Sequence, residues 1–413
     1  MSRTRLPLVQ VLLCCCFWVA PLKTVSAQEE LNIFGYFATR FEKIYDMPTV
    51  LPDGELQREK QPGTFGYPSL NLMMEQALND RFRVFVNIGS RNGQELSVRN
   101  FWGEYRLSRY LTGRFGKTYR KFGLYNEILD AVPTYFGIEA PELFDEDHLI
   151  LSRNTTLMLH GNLDLGDGVF YYSLSTDNGE GKPQNNVIPW SYDANYRFGA
   201  GKYRMGISGY FSGGFTTPDK RPGLGTPASG VLPWMSGDRF EVFGGYVEVN
   251  KGPALLQAAY WAAHHNARRD PAAVMVLLRD AGVNSRQRAR FLADPAADPA
   301  EPGNIRTAVT YQVRTWYLRL GYSHESNLGE IAPYLQCDFY ENPEIIFNKL
   351  YGGDEEVGLS DEGKFTKPTL GIIFRPIPEV ALKMDASAHI QTLNGAVGHY
   401  SEIRLDVSYL FGH

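Results

Sequence analysis

Apolar and polar residues alternate along the chain from about residue 30 onward, as they do in a β-strand whose two faces meet different surroundings. The clearest run is 400–411, which places Ile, Leu, Val, Tyr and Phe at every second position from 403 onward. Charged and polar residues fill the positions between them. This pattern predicts an all-β fold in which each strand has one apolar and one polar face.

About sixteen such runs follow one another, each roughly 9 to 12 residues long, which is the length of a tilted strand that crosses a bilayer. They cover residues 30–41, 69–79, 81–91, 97–109, 111–118, 149–163, 168–177, 193–200, 202–214, 238–250, 253–263, 307–323, 329–341, 364–375, 379–391 and 400–411.

The connections between the runs alternate between short and long. Short turns such as Asn79–Asp80 and Lys251–Gly252 are interleaved with longer connections, and 91–97 is a short exception. The longer connections are 42–68, 118–148, 178–192, 215–237, 264–306, 342–363 and 392–399. Outer-membrane barrels have short turns on the periplasmic side and longer loops on the extracellular side. The alternation therefore predicts a transmembrane, antiparallel, up-and-down β-barrel with both termini periplasmic; a soluble β-sandwich is the alternative.

The first residues have the features of a cleaved signal peptide: a basic start, an apolar stretch and small residues at 25–27. We expect residues 1–27 to be removed and 28–413 to form the barrel. The loss of three basic residues and no acid changes the formal net charge from −5 to −8, which argues against nucleic-acid binding. After residue 27 no stretch approaches the roughly 18 apolar residues of a spanning helix.

The sequence contains only weak signals for catalysis. His264 and His265 lack a partner at metal-ligand spacing, and no serine motif of the nucleophilic type accompanies the histidines. After signal removal Cys337 is the sole cysteine, so no internal disulfide forms. We therefore predict that the protein is not an enzyme and has no catalytic residues, metal or cofactor.

Three short segments resemble Gram-negative outer-membrane porins, most nearly the phosphate-selective porin O/P-like type. The first is 113–117 followed by 122–124, which resembles the strand that leads into that family's inward-folded third loop. The second, 375–383, resembles its last periplasmic turn, and the third is the aromatic end Tyr409–Phe411. Two features depart from the family pattern: Gly412 and His413 follow the phenylalanine, and no dedicated arginine ladder is matched.

The resemblance implies a homotrimer in the outer membrane, in contact with lipid and lipopolysaccharide. It also implies recognition of the aromatic end by the barrel-assembly machinery. The three functional hypotheses are a diffusion channel for small hydrophilic, anion-leaning solutes, a channel specific for phosphate, an organic acid or a saccharide, and a non-transporting structural or adhesive barrel. For a saccharide channel, aromatic residues on the polar faces would form a slide, namely Trp102, Tyr171, Tyr210, Tyr317 and Tyr334.

Basic residues are frequent on the faces that we assign to the pore. Guanidinium groups that project into a narrow aqueous pore favour anions. The alternative is that these cations pair with acids on neighbouring strands. The proposed basic wall consists of Arg81, Arg83, Arg106, Arg114, Arg204, Arg319, Lys383 and Arg404.

The third long connection, 118–148, is acidic. We expect it to fold into the barrel as a constriction, with Arg81, Arg83, Arg106 and Arg114 opposite; an extracellular flap is the alternative. Its acids are Glu127, Asp130, Glu139, Glu142, Asp145, Glu146 and Asp147. The connection 264–306 contains two helix-like pieces, and the second could be capped by Asn284 or Ser285. It could cap the mouth, fold inward or contact a partner; a surface loop without a function is the alternative.

Overall fold

The computed structural model describes residues 31–50, 55–90, 95–126, 136–142, 154–179, 182–183, 188–218, 231–280, 283–296, 302–346 and 358–412. The proposed signal peptide at 1–27 lies outside the described residues. Within the described part, sixteen long strands form one sheet that closes on itself.

The sixteen strands match the predicted runs in order and number. In chain order they are β1 Asn32–Tyr45, β2 Ser69–Asn79, β3 Phe82–Ser90, β4 Ser97–Arg106, β5 Thr112–Thr118, β6 Asn154–Leu165, β7 Gly168–Asp177, β8 Trp190–Phe198, β9 Tyr203–Phe211, β10 Met235–Lys251, β11 Ala254–Arg269, β12 Ala308–Tyr322, β13 Gly329–Glu341, β14 Lys364–Ile377, β15 Val380–Leu393 and β16 Ala396–Phe411. The shorter strands are Met47–Val50, Leu56–Glu59, Thr64–Phe65, Lys182–Pro183, Thr216–Thr217 and His324–Ser326.

The described helices with defined bounds lie in one long connection. The connection between β11 and β12 contains the helices Pro271–Asp280 and Ser285–Ala289 and the 3-10 turn Pro302–Asn304. Asn284 caps the second helix, as predicted, and its side chain accepts from the backbone N–H of Arg286 and Gln287. None of the described helices is long and apolar enough to cross a membrane.

The sheet is an up-and-down barrel because each strand pairs antiparallel with the next and β1 pairs with β16. The closing register runs from Gly35 opposite Phe411 to Tyr45 opposite Ser401. β1 also pairs with β2 on its other side. The predicted all-β, antiparallel, sixteen-stranded barrel is therefore confirmed, and the sheet has no free edge along these strands.

The two faces of each strand meet opposite surroundings. On β12, Tyr317 and Arg319 face inward and are buried, whereas the neighbouring Leu318 and Leu320 face outward and are 40% and 44% exposed. The same alternation exposes apolar side chains on β14, β15 and β16. A belt of exposed apolar residues around a barrel is the surface that lipid requires.

One connection differs from the prediction. The segment 392–399 was expected to be a longer loop, but β15 and β16 continue to a tight hairpin at Asn394 and Gly395, whose φ angles are 48° and 83°. An Asn-Gly pair accepts positive φ at both central positions, and this turn matches the twist of the two strands. β11 likewise extends to Arg269 rather than ending near residue 263.

The interior contains an apolar cluster at the long-loop end of β10–β14. Inward-facing residues of these strands, such as Phe240, Trp261 and Val313, are buried together with Leu277 and Phe291 from the connection between β11 and β12. The inward faces of these strands are therefore apolar in this region, and they pack against the connection between β11 and β12.

Trp261 lies at the centre of this cluster, between the rings of Phe122 and Tyr246 at centroid distances of 5.5 and 6.1 Å. We expect Trp261→Ala to lower the free energy of unfolding by about 3–5 kcal/mol, because a buried indole leaves a large cavity. Urea unfolding in detergent measures the effect. Trp316→Ala, on the outward face of β12, is the matched control and should cost less. Equal losses for the two variants would contradict the interior packing.

Candidate functional site: the barrel interior

The connection after β5 runs along the inner wall of the barrel. Arg120 forms a bidentate ion pair with Asp177 on β7, and both side chains are buried. The backbone N–H of Gly123 then donates to Ser208 Oγ on β9 at 3.0 Å. Since Asp177 and Ser208 share the inward faces of their strands, this part of the connection lies inside the barrel.

Tyr125 continues this path across β11 and β12. Its hydroxyl donates to Gln257 Oε1 and accepts from Arg319 Nη1. Burial raises the pKa of Tyr125, and the nearby Arg319 only partly offsets this effect. The phenol therefore stays protonated and neutral. Arg319 is fully buried and also donates from Nε to Gln336 Oε1 at 2.7 Å.

The described segment 136–142, which we call the loop tip, lies against β12–β16 and β1. Phe136 packs edge-on against Tyr334 on β13, with 6.5 Å between ring centroids. Lys383 Nζ donates to the carbonyl oxygen of Gly137 at 2.9 Å. Arg40 Nη2 donates to the carbonyl oxygen of Ile138 at 3.1 Å. Cations of the wall therefore hold the backbone of the loop tip.

Glu139 is the centre of charge in the loop tip. Its carboxylate accepts from Arg40 Nη1 at 2.7 Å, from Arg404 Nη1 and, at 3.5 Å, from Lys367 Nζ. Partial burial would raise the pKa of Glu139, but Arg404, Lys367 and Arg40 outweigh it and hold that pKa well below its usual range. A third of its side-chain surface, 36%, stays exposed to the interior. The loop tip thus presents an ionised carboxylate beside an open space.

Further ion pairs complete the wall beneath the loop tip. Lys367 pairs with Glu142 at 2.6 Å, and Arg404 Nε pairs with Asp385 at 3.0 Å. Asp406 is the cross-strand neighbour of Lys383. Three predicted wall cations, Arg319, Lys383 and Arg404, are therefore buried beneath the loop tip rather than exposed to passing solutes. For Arg404, which pairs with Asp385, the alternative of charge pairing between strands describes the structure.

A different set of charges occupies the arc β2–β6. Arg83 pairs with Glu75 and with Glu104, both at 2.8 Å. Arg114 also pairs with Glu104 at 2.8 Å, and His160 Nε2 lies 3.0 Å from the same carboxylate. Arg83 keeps 40% of its side-chain surface exposed, so this wall is charged but internally compensated.

Four basic residues near the short-turn end have no carboxylate within ion-pair distance among the described residues. Arg81 and Arg106 are exposed at the ends of β3 and β4. Arg197 and Arg204 lie directly opposite each other on β8 and β9. Their guanidinium groups stack on the rings of Tyr171 and Tyr246 at 4.8 and 5.3 Å, respectively.

The described acids of the connection pair with the wall on which the loop tip lies: Glu139 and Glu142 pair with Arg40, Arg404 and Lys367. That Arg81, Arg83, Arg106 and Arg114 stand opposite the connection stays a prediction. The alternation of the predicted strands places both Arg40 and Lys367 on the inward face, where the structure has them. The remaining predicted acids lie outside the described residues, namely Glu127, Asp130, Asp145, Glu146 and Asp147.

The aromatic slide considered for saccharides is wrong at three of its positions. Tyr210, Tyr317 and Tyr334 are at most 3% exposed, because the inward-folded connection covers them. The ring of Trp102 is stacked by Arg83 and Arg114 at 5.3 and 4.2 Å. Among the described residues, no group of three or more His, Cys, Asp or Glu could hold a metal ion.

Solved structures share this architecture. The anion-selective porin from Comamonas acidovorans has a TM-score of 0.54 at 10% identity, with 93% of this chain and 100% of that chain covered. The fold of this chain is a porin fold. The outer-membrane channel DcaP of Acinetobacter baumannii has a TM-score of 0.53 at 11% identity, covering 95% and 100%. OmpT of Vibrio cholerae has a TM-score of 0.53 at 12% identity, covering 94% and 99%.

Sequence comparison adds no closer assignment. No protein-family profile matches the chain, and no curated protein matches it. At the identities above, the structural likeness is one of fold alone. The resemblance to the phosphate-selective type stays a prediction.

The pKa of Glu139 leads to a test of how the loop tip is held. A lowered pKa means that the ion pairs contribute fully above the ordinary value of 4.5 and are lost only as the pH falls through the lower value. Backbone amides of 137–142 should therefore keep their hydrogen-exchange protection at pH 4.5. Glu139→Gln should lose this protection at neutral pH as well, because the neutral amide cannot replace three charge-assisted bonds.

Glu75→Gln is the matched control, since Glu75 pairs with Arg83 on the wall. It should leave protection of 137–142 unchanged. Equal protection of these amides in wild type and Glu139→Gln would show that the ion pairs do not hold the loop tip.

Proposed function

We propose that the protein is an outer-membrane porin, a passive diffusion channel for small hydrophilic solutes. The observation that carries this proposal is the connection after β5, which lines the interior from β7 to β1 and presents the ionised Glu139 to open space. A connection folded inside a polar barrel narrows the passage without closing it. The segment 118–148 is accordingly proposed as the constriction.

An anion preference is the finer part of the proposal. The cations Arg319, Lys383 and Arg404 are buried beneath the loop tip, so they would contribute little to it. The contribution would come from Arg81, Arg106, Arg197 and Arg204 near the short-turn end, which have no carboxylate within ion-pair distance among the described residues. An exposed guanidinium in a low-dielectric passage lowers the barrier for anions.

The location follows from the outer surface. The exposed apolar belt fits lipid, and the short turns fit the periplasmic side, where both termini would lie. We propose removal of residues 1–27, contact of the belt with outer-membrane lipid and lipopolysaccharide, and delivery by the barrel-assembly machinery. A homotrimer is proposed because a solved form of Vibrio cholerae OmpT is a trimer.

Planar bilayers test the channel directly. Purified protein that shows the heat-modifiable gel mobility of a folded barrel should produce stepwise ohmic conductance. A salt gradient should give a reversal potential with the sign of anion preference. A folded protein without conductance would eliminate the channel, and a cation-selective potential would eliminate only the anion preference.

Arg197 and Arg204, which lie opposite each other on β8 and β9, allow the source of the anion preference to be tested. The double variant Arg197→Gln and Arg204→Gln should lower the anion-to-cation permeability ratio by roughly twofold, because two uncompensated charges leave the passage. Arg239→Gln removes one exposed cation from the outward face of β10 and should leave the ratio unchanged. An unchanged ratio in the double variant would place the selectivity elsewhere.

A further inference from the structure

The connection between β11 and β12 packs inside the mouth of the barrel. We call its described residues 270–280, 283–296 and 302–307 the lid. Val274, Leu277 and Phe291 of the lid are fully buried, in one cluster with the inward-facing Phe240 and Tyr311. Because the outward neighbours of those strand residues are exposed, the lid occupies the interior on the side of β10–β14.

Buried ion pairing holds the base of the lid. Arg269, the last residue of β11, pairs bidentately with Glu344 at 2.8 and 2.6 Å, and both side chains are almost completely buried. Arg290 donates to the carbonyl oxygens of Pro343 and Ile345 at 2.7 and 3.2 Å. The lid is thereby joined to the connection between β13 and β14.

Asp361 holds the far side of the lid. Its Oδ1 accepts from Asn284 Nδ2 at 2.7 Å and from the backbone N–H of Asn394 at 3.0 Å. Its Oδ2 accepts from the backbone N–H of Gly395 at 2.7 Å. One carboxylate, 3% exposed, therefore joins the lid to the hairpin turn between β15 and β16. The lid residue Gln287 adds bonds to the carbonyl oxygens of residues 358–360.

These contacts indicate that the lid is fixed in place. They argue against a surface loop without a structural role and against a mobile gate. A decorative loop would not bury its apolar residues among inward-facing side chains of the barrel. A gate would have to expose the buried apolar residues of the lid to water and break the buried bond between Asn284 and Asp361, and both steps are costly. The lid therefore stays in place while solutes pass.

We propose that the lid permanently closes the β10–β14 side of the mouth, that Asp361 is the positioning residue that keeps it closed, and that the lid sets the largest solute admitted. This inference rests on the proposed channel function. It assigns solute entry to the remaining part of the rim, outside β10–β14. Size selection would then be set at the mouth, apart from the constriction deeper inside.

The test compares Asp361→Ala with Glu362→Ala in the full-length protein. Both variants remove one carboxylate from adjacent positions, but Glu362 is 55% exposed and pairs only with Lys364 among the described residues. Asp361→Ala should raise single-channel conductance by up to about 1.5-fold, because the lid covers five of the sixteen strands of the rim. It should also admit larger neutral polymers and allow trypsin to cut after Arg286 or Arg288. Glu362→Ala should behave as wild type.

Asn284→Ala provides a second variant if Asp361→Ala does not fold. It removes the hydrogen bond from Asn284 to Asp361 together with the cap of the helix Ser285–Ala289, and it leaves the hairpin turn bonded. Cleavage by trypsin without a change in conductance or polymer exclusion would overturn the lid as the size filter. Unchanged conductance and trypsin resistance in both variants would overturn Asp361 as its holder. A folded wild type that does not conduct would instead overturn the proposed function.

Discussion

Closure of β1 on β16 is the constraint on which the rest of the molecule depends. An apolar outer surface can face lipid only if no backbone N–H or C=O along the strands is left without a partner. The register from Gly35 opposite Phe411 onward satisfies that condition. In the closed ring, the polar side chains of the strands face the interior. The other features of the structure fill that interior space.

The interior is filled by charge pairing on one side and by apolar packing on the other. Cations in a confined space are costly unless an acid accompanies them, and the loop tip supplies Glu139 and Glu142 for this purpose. The lid supplies apolar side chains to the apolar inward faces of β10–β14. The solute path proposed above is the space that these two inserted connections leave.

The sequence predicts the barrel well because the period-two alternation is a local property of each strand. The strands 69–79, 168–177 and 329–341 begin and end where the pattern predicts. It predicts the partners of the loop tip poorly, because Glu139 and Arg404 are 265 positions apart and meet only after closure. The hairpin at Asn394–Gly395 could have been predicted from the sequence, since the Asn-Gly pair is itself a turn signal. The burial of Arg319 and Tyr317 could not be predicted from the sequence. The alternation places both side chains inward whether or not another segment covers them.

The apolar cluster behind the lid has a thermodynamic consequence. The polar side chains that fill the rest of the interior lower the heat capacity when unfolding exposes them to water. Trp261, Phe240 and their neighbours, by contrast, are packed as in the core of a water-soluble domain. Their exposure to water raises the heat capacity. The stability of this barrel should therefore curve with temperature, and its β10–β14 side should weaken on cooling.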